Sequence, residues 1–344
     1  METTEATRSL KDEWITFHET NPRVRIRDAA RQLNVTEAEI VAAFTGGAVL
    51  RLTTDFTGLW KRMGELGYVM SLTRNEHCVH ERKGKFEKVH VHRGNMGYVA
   101  GPDIDLRMFF SHWAFGFAVR QYAEAGFRTS LQIFDHEGTA VVKIFLLEQS
   151  DHDAFDRLVE AFRAPDQSGV LALRPVEKRE LRDGEVDVES FQRSWASLKD
   201  SHDFFPMLNK YKVSRLHAVR IGGPFTRRMS NACAAKLLHD VSASAMPVMV
   251  FTGNNGMVQI HTGPVKKIVE IPGWINVMDP EFNLHLQTDP ICECWVVRKP
   301  NAETDVHSLE CYDRDGNLIV QFFGKRKPGI PEDPEWTKYV TSLS

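Results

Sequence analysis

The sequence predicts an α+β protein built as a tandem repeat, each half a large antiparallel β-sheet with packed helices. Three observations carry the prediction. VMSLTRNEHCVHERKG (Val69 to Gly84) lines up with VMVFTGNNGMVQIHTG (Val248 to Gly263) at an offset of 179. DIDLRMFF then meets EFNLHLQT, and SLQIFDHEGTAVVKIF meets SLECYDRDGNLIVQFF, both at 178. Self-similarity at one spacing over half a chain marks a duplicated unit. The later part of each half alternates apolar and polar residues, as in KFEKVHVHR, with DHEG and DRDG as hairpin turns. Each half opens instead on helical periodicity.

NPRVRIRDAARQLNVTEAEIVAAF, from Asn21, reads as two short helices joined at Leu33 to Thr36. DFTGLWKRM from Asp55 can be laid on DSHDFFPML from Asp200 at an offset of 145, through its apolar positions. That alignment implies about 34 extra residues in the second half, between Val213 and Pro247. They include the glycine-rich IGGPFTRRMS, which is then expected to have no counterpart in the first half. The polar stretch EKRELRDGEVDVES, Glu177 to Ser190, is placed as the boundary, giving an N-terminal repeat over 1–176 and a C-terminal repeat over 177–344.

Composition narrows the function. A hydrophobic content of 42% over 344 residues supports a substantial core. A net charge of -3 gives no basic field for nucleic acid and no polybasic segment for an anionic membrane, so an anionic ligand must be met locally. No apolar run reaches the roughly 18 residues of a membrane span, and METTEATRSLKDEW lacks an apolar signal core; the cytoplasm is the expected location. Five cysteines, spread out and without CxxC spacing, fit a reducing compartment. Cys292 and Cys294 would share a strand face as two soft ligands, but no second ligand pair is evident, and buried strand cysteines are the simpler reading.

AARQLNVTEAEI has the outline of a helix-turn-helix, yet EAEIVAAFTGG carries acids where phosphate contacts would lie, so helix-pair packing is preferred to DNA binding. His77, His80, His90 and His92 crowd one stretch; zinc would need further placed ligands, and exposed strand histidines are expected. GxSxG, HExxH and a phosphate-binding glycine loop are all missing. In LKDSHDFF, Leu198 to Phe205, His202 lies between two aspartates as a general base, a metal ligand or a helix-end histidine satisfied by Asp200 or Asp203. Under the alignments above, Thr57 stands in the first half for His202, and His285 in the second half for Arg107. One half with a histidine and the other with an arginine can build a single asymmetric site where the halves face each other.

Over nearly its whole length the chain resembles the HemS/HmuS family of bacterial cytoplasmic haem-binding and haem-degrading proteins, themselves tandem repeats. The resemblance is carried by NPRVRIRDAARQLNVTEAEIVAA, TRNEHCVHERKGKF, DIDLRMFFSHWAFGFAV, WASLKDSHDFFPML, VMVFTGNNGMVQIHTG, GWINVMDPEFNLHL and WVVRKP. It implies one haem b in a cleft between the halves, with the histidine of D-x-H-x-F-F, His202, as proximal iron ligand and Arg107 of IDLR on the distal side. It also implies Arg215 and Lys299 near the propionates and haem edge, and Gln321 and Phe323 lining the distal side. Several relatives carry a tyrosine where this chain has Phe323.

The side-chain chemistry agrees. A neutral imidazole ligates haem iron, whereas a guanidinium donates hydrogen bonds without coordinating. Asp200 is placed to cap the following helix, Asp203 to hold the second imidazole nitrogen, and Pro206 argues for a later helix start. The resemblance implies two competing functions. One is oxygen-dependent ring opening to a biliverdin-type product, carbon monoxide and iron, fed by an external electron donor. The other is a carrier that takes haem from an inner-membrane importer and passes it to a separate haem oxygenase; a reductase is the further expected partner.

Overall fold

The structure is a computed structural model that describes residues 9–92, 95–175, 186–326 and 330–343. The chain forms two compact units. The first takes in Met1–Thr73, Arg82–Glu177 and Asn254–Met257, the second Arg74–Glu81, Lys178–Gly253 and Val258–Ser344. Most of the stretch expected to separate the repeats, 177–185, lies outside the described residues.

In chain order the first repeat runs α1 (Leu10–Thr20), α2 (Ile26–Gln32), α3 (Glu37–Ala42), β1 (Val49–Leu52), α4 (Phe56–Lys61), β2 (Gly67–Arg74), β3 (Cys78–Lys85), β4 (Val89–His92), β5 (Met96–Ala100), β6 (Asp105–Phe109), β7 (Trp113–Val119), β8 (Ser130–Asp135), β9 (Ala140–Ser150) and α5 (His152–Phe162). The second runs α6 (Val188–Ala196), α7 (Phe204–Tyr211), α8 (Arg215–Ile221), β10 (Thr226–Met229), α9 (Cys233–Ser244), β11 (Val248–Gly253), β12 (Met257–Gly263), β13 (Ile268–Ile271), β14 (Trp274–Met278), β15 (Phe282–Gln287), β16 (Glu293–Lys299), β17 (Val306–Tyr312), β18 (Leu318–Gly324) and α10 (Pro334–Ser342). The tandem α+β plan is therefore as the sequence predicts. The strands run β1-β7-β8-β9-β2 in the first unit and β10-β16-β17-β18-β11 in the second, antiparallel throughout. Each unit also carries a three-stranded meander, β4-β5-β6 or β13-β14-β15.

Element order corrects the expected insertion. β10 pairs at the edge as β1 does, α8 precedes β10 as α3 precedes β1, and α9 follows β10 as α4 follows β1. An offset of about 178 thus holds from the first helix, and IGGPFTRRMS matches FTGGAVLRL. Local geometry agrees. Asn34 and Lys212 both close a helix in the left-handed region, at φ 55° and 53°. Thr36 Oγ1 then accepts from the Glu39 N–H at 3.2 Å, and Ser214 Oγ from the His217 N–H at 3.1 Å, each capping the next helix. DFTGLWKRM and DSHDFFPML looked alike because an aspartate ahead of an apolar turn is a general helix start. The first-half equivalent of His202 is Val24, not Thr57.

Each sheet is buried on both faces, one under three helices and the other under two. In the first unit α1 to α3 pack on Phe117, Val119 and Phe134, while α4 and α5 pack on Leu131, Ile133 and Ile144. In the second, α6 to α8 cover Trp295, Val297 and Tyr312, and α9 and α10 cover Val296, Leu309 and Phe322. α3 is buried at Ala38, Ile40, Val41 and Ala42, so it packs as a core helix and presents no recognition face. No helix among the described residues is long and apolar enough to cross a membrane.

Candidate functional site

Ser201–Asp203 form a single 3-10 turn, and α7 starts only at Phe204, so Pro206 falls in the first helical turn, where an N–H has no intrahelical partner. Asp200 is extended, at φ -141° and ψ 140°, and reaches over the turn. Its Oδ1 accepts from the His202 N–H at 2.8 Å and pairs with ring Nδ1 at 2.6 Å. The backbone bond first, and the ring contact after it, hold the Asp200 carboxyl below the usual carboxylate range. An ionised carboxylate only accepts, so Nδ1 carries a proton and, in the neutral ring, Nε2 the lone pair. The His202 side chain is 88% exposed, which leaves that lone pair open to an incoming ligand. Asp200 thus takes the orienting part expected of Asp203, because Asp203 lies inside the turn with helical dihedrals.

Two residues further on, Phe204 is buried and Phe205 exposed. The Arg215 guanidinium sits 5.6 Å and 5.3 Å from their ring centroids, and Lys299 Nζ sits 4.8 Å from the Phe204 ring. Beneath these rings Arg215, Lys299 and Gln321 meet on Glu310, a residue the sequence reading missed. Arg215 Nε and Nη2 donate to its two oxygens at 2.8 Å each, and Lys299 Nζ donates to Oε1 at 2.8 Å. Ser308 Oγ and Gln321 Nε2 donate at 3.0 Å, and the Tyr312 hydroxyl at 2.6 Å. Strand geometry explains the convergence. Ser308, Glu310 and Tyr312 alternate onto one face of β17, and Gln321 stands in register with Glu310 on β18. Phe323 shares that face and packs on Phe251 at 4.9 Å.

Burial alone would raise the Glu310 carboxyl, but Arg215 and Lys299 overcome it and hold Glu310 well below the carboxylate range. Burial pushes the Lys299 ammonium down to about 8, against the pull of Glu310 and with the help of neighbouring Arg215. With both cations charged, one carboxylate faces two positive groups, and the cluster keeps a positive excess suited to a ligand carboxylate. The first repeat is built differently at the matching positions. There Glu37 stands where α8 has Arg215, Lys143 where β18 has Gln321, and Gln132 where β17 has Glu310. Lys143 Nζ and Glu37 Oε2 pair at 2.8 Å, the same corner of the fold with the carboxylate moved from strand to helix.

Arg107 belongs to the first unit. It is half-exposed on β6, ion-paired to Asp105, and donates from Nη1 to the Leu106 carbonyl at 3.0 Å. Its guanidinium lies 6.0 Å from the ring of Tyr98, its register partner on β5. Its counterpart His285 has Nδ1 2.7 Å from the Asn276 side-chain oxygen. Of the clustered histidines, His90 and His92 are exposed as expected, flanking Tyr98 at 4.6 Å and 5.4 Å. His80 is fully buried, 4.9 Å from the Phe282 ring, which corrects the exposed reading there. Among the described residues no group of three His, Cys, Asp or Glu side chains is arranged to hold a metal ion. The Cys292 and Cys294 pairing is also corrected: β16 begins at Glu293, and the Cys294 thiol lies against Cys311.

The haemin-degrading HemS.ChuX domain family matches the chain twice, over residues 34–162 and 212–343, stretches that open on the two left-handed residues Asn34 and Lys212. The chain is 33% identical to the hemin transport protein HmuS of Yersinia pestis, over 97% of both chains. Among solved structures it resembles holo-PhuS, a haem-binding protein from Pseudomonas aeruginosa, with a TM-score of 0.94 and 45% identity, covering 97% of this chain and 98% of that one. It also resembles ChuS, an Escherichia coli haem oxygenase, with a TM-score of 0.87 and 32% identity, covering 98% and 99%.

Proposed function

This chain belongs to the family of haemin-degrading HemS.ChuX domain proteins, and from that premise we propose that it binds haem b, with His202 Nε2 as the iron ligand and Arg215 and Lys299 meeting the propionates. The observation that carries the reading is the hydrogen bond between the exposed His202 ring and Asp200, which sets the tautomer and aims the outer nitrogen. Phe204 and Phe205 add apolar surface beside the cations. Gln321 and Phe323 extend the lining, and Arg107 is proposed as a hydrogen-bond donor to a water or dioxygen at the iron. The bound haem is substrate or cargo, and the setting is the cytoplasm, with an inner-membrane haem importer upstream.

We take the activity to be oxygen-dependent ring opening to a biliverdin-type product, carbon monoxide and iron, with electrons from an external donor such as a reductase. The second reading is a carrier serving a separate haem oxygenase, and Phe323 favours it, since its ring packs on Phe251 and brings no hydroxyl to the lining. Single turnover of the haem-loaded protein with ascorbate in the presence of catalase separates them. Loss of the Soret band with carbon monoxide release is the expected result; haem that survives unchanged overturns degradation in favour of carriage. Catalase removes free peroxide, which bleaches bound haem without enzymic turnover.

Lys299 makes propionate binding pH-dependent. An incoming carboxylate favours the ammonium, so the proton that unliganded Lys299 loses above about 8 is retained in the complex. Binding must then take up a proton, and affinity falls as pH rises. Between about pH 7 and about pH 9.5 haem affinity is expected to drop by roughly tenfold, an effect of about one pKa unit. Lys299→Met should bind more weakly at neutral pH and lose most of that slope. A variant slope equal to the parent's would remove Lys299 from the propionate site.

A further inference from the structure

The second unit holds two anchors built from separate parts of the chain. One is His202, on the single turn Ser201–Asp203, with its ring held by Asp200 at 2.6 Å. The other is the corner where Arg215 of α8 and Lys299 of β16 meet Glu310 of β17, each bond 2.8 Å long. Among the described residues no hydrogen bond or ion pair joins His202 or Asp200 to any of those three. The anchors also differ in chemistry. A neutral imidazole nitrogen serves a metal, whereas a guanidinium and an ammonium serve carboxylates.

The carboxylate-facing corner is made before any ligand arrives. The Arg215 and Lys299 side chains are only 16% and 5% exposed, and Glu310 fixes both, so little side-chain freedom is left to lose on binding. A guanidinium and an ammonium together carry more N–H donors than one carboxylate takes up. Apolar surface adjoins them. Phe205 is 57% exposed with the Arg215 guanidinium 5.3 Å from its ring centroid, and Phe323 packs on Phe251 on the strand face that carries Glu310. Covering such rings with a flat macrocycle is favourable whether or not the macrocycle holds a metal. His202, 88% exposed on its turn, adds little apolar contact of its own.

We propose that the protein binds metal-free porphyrin dicarboxylates as well as haem, held by Arg215, Lys299 and the adjoining phenylalanines without help from His202. The proposal rests on the haem reading above, because it uses the same corner, and goes beyond it by removing the metal. Carboxylates and ring face then carry the affinity that both ligands share, and the bond from His202 adds to it for the iron form alone. Binding therefore does not by itself reject a porphyrin that lacks iron. Discrimination between the two has to come from the extra affinity that His202 supplies, or from a later step.

The test titrates the full-length protein, in dilute non-ionic detergent, with protoporphyrin IX followed by its fluorescence and with haem followed by its Soret band. Protoporphyrin IX dimethyl ester, with both carboxylates capped, is the third probe and needs no variant to fold. Protoporphyrin IX should saturate a single site, and the ester should bind at least about tenfold more weakly, the worth of a bond to a charged group. His202→Ala should weaken haem by more than about tenfold, yet leave protoporphyrin IX within roughly threefold of the parent, the spread of a neutral surface substitution. Lys299→Met should weaken both. Haem that binds where protoporphyrin IX does not overturns the proposal and leaves the haem reading standing. An ester as tight as the free acid overturns the carboxylate anchor, and equal losses of both ligands in His202→Ala overturn the separation of the two anchors. If neither haem nor protoporphyrin IX binds, the haem reading falls and the proposal with it.

Discussion

His202→Ala is expected to abolish the normal Soret spectrum of the haem-loaded protein while leaving the apo protein as stable as its parent. The two halves of the expectation come from the same fact. The ring is 88% exposed and its contact among the described residues is with Asp200, so truncation removes no packing and should shift stability by no more than about 0.5 kcal/mol. Iron, however, loses its proposed nitrogen donor, and added imidazole should restore much of the band by filling the vacated space. Asp200→Asn is the milder companion. It keeps an acceptor oxygen for the His202 N–H but removes the charge that fixes the ring tautomer, and partners of this kind contribute roughly 10- to 100-fold to metal affinity. An unchanged spectrum in His202→Ala would sink the ligand assignment and pass it to His285, whose Nδ1 is likewise held, by Asn276.

What the sequence discloses about this fold depends on how local the responsible physics is. The hairpins at DHEG and DRDG are plain because one aspartate builds each turn. Asp135 Oδ1 accepts from the Glu137 and Thr139 N–H groups, and Asp313 Oδ1 from those of Asp315 and Asn317. The repeat is legible in the strands, where burial on both faces restricts residue choice. It fades in the helices, where geometry persists while side chains diverge. Asn34 and Lys212 share a left-handed backbone with no shared chemistry, as do the paired positions Glu37 and Arg215. Aligning by residue type therefore set His202 against Thr57, and only the order of β1 and β10 in their sheets moves the equivalence to Val24. The conclusion that one repeat alone carries the histidine survives that change, on a different residue.

Glu310 was hidden for another reason. A carboxylate at an alternating strand position reads as solvent-facing, and only helices packing over that face turn it into a buried anchor. The pairing of SLQIFD with SLECYD held the signal. Gln132 and Phe134 become Glu310 and Tyr312, two coordinated polar substitutions on one strand face, opposite a Glu37 that becomes Arg215. The cations implied by family resemblance are thus already partnered, and what they offer a ligand is their excess over Glu310, not their full charge.

Glu310→Gln should be among the most destabilising single changes in the second unit. It keeps the shape and one acceptor oxygen, but it leaves Arg215 and Lys299 buried against each other without a counter-charge. Breaking a buried pair in this way costs about 3–5 kcal/mol, and for a unit of this size the corresponding fall in melting temperature is roughly 10 °C. The deficit has a pH signature. Without Glu310 the Lys299 ammonium, already held down to about 8, is disfavoured further. A lysine whose folded pKa lies below its unfolded value adds stability at high pH and loses it as pH falls through the folded pKa. The gap between Glu310→Gln and the parent should therefore be widest near neutrality and close as pH rises above 8, when Lys299 sheds its proton. Replacing Glu310, Arg215 and Lys299 together by leucine or methionine should recover much of the stability, since apolar side chains can stand in for a buried ion cluster, yet haem affinity should stay low because nothing remains to meet a propionate. A Glu310→Gln melting curve that superimposes on the parent's at neutral pH would mean that solvent, not Glu310, neutralises the two cations, and the positive excess assigned to this corner of the fold would have to be abandoned.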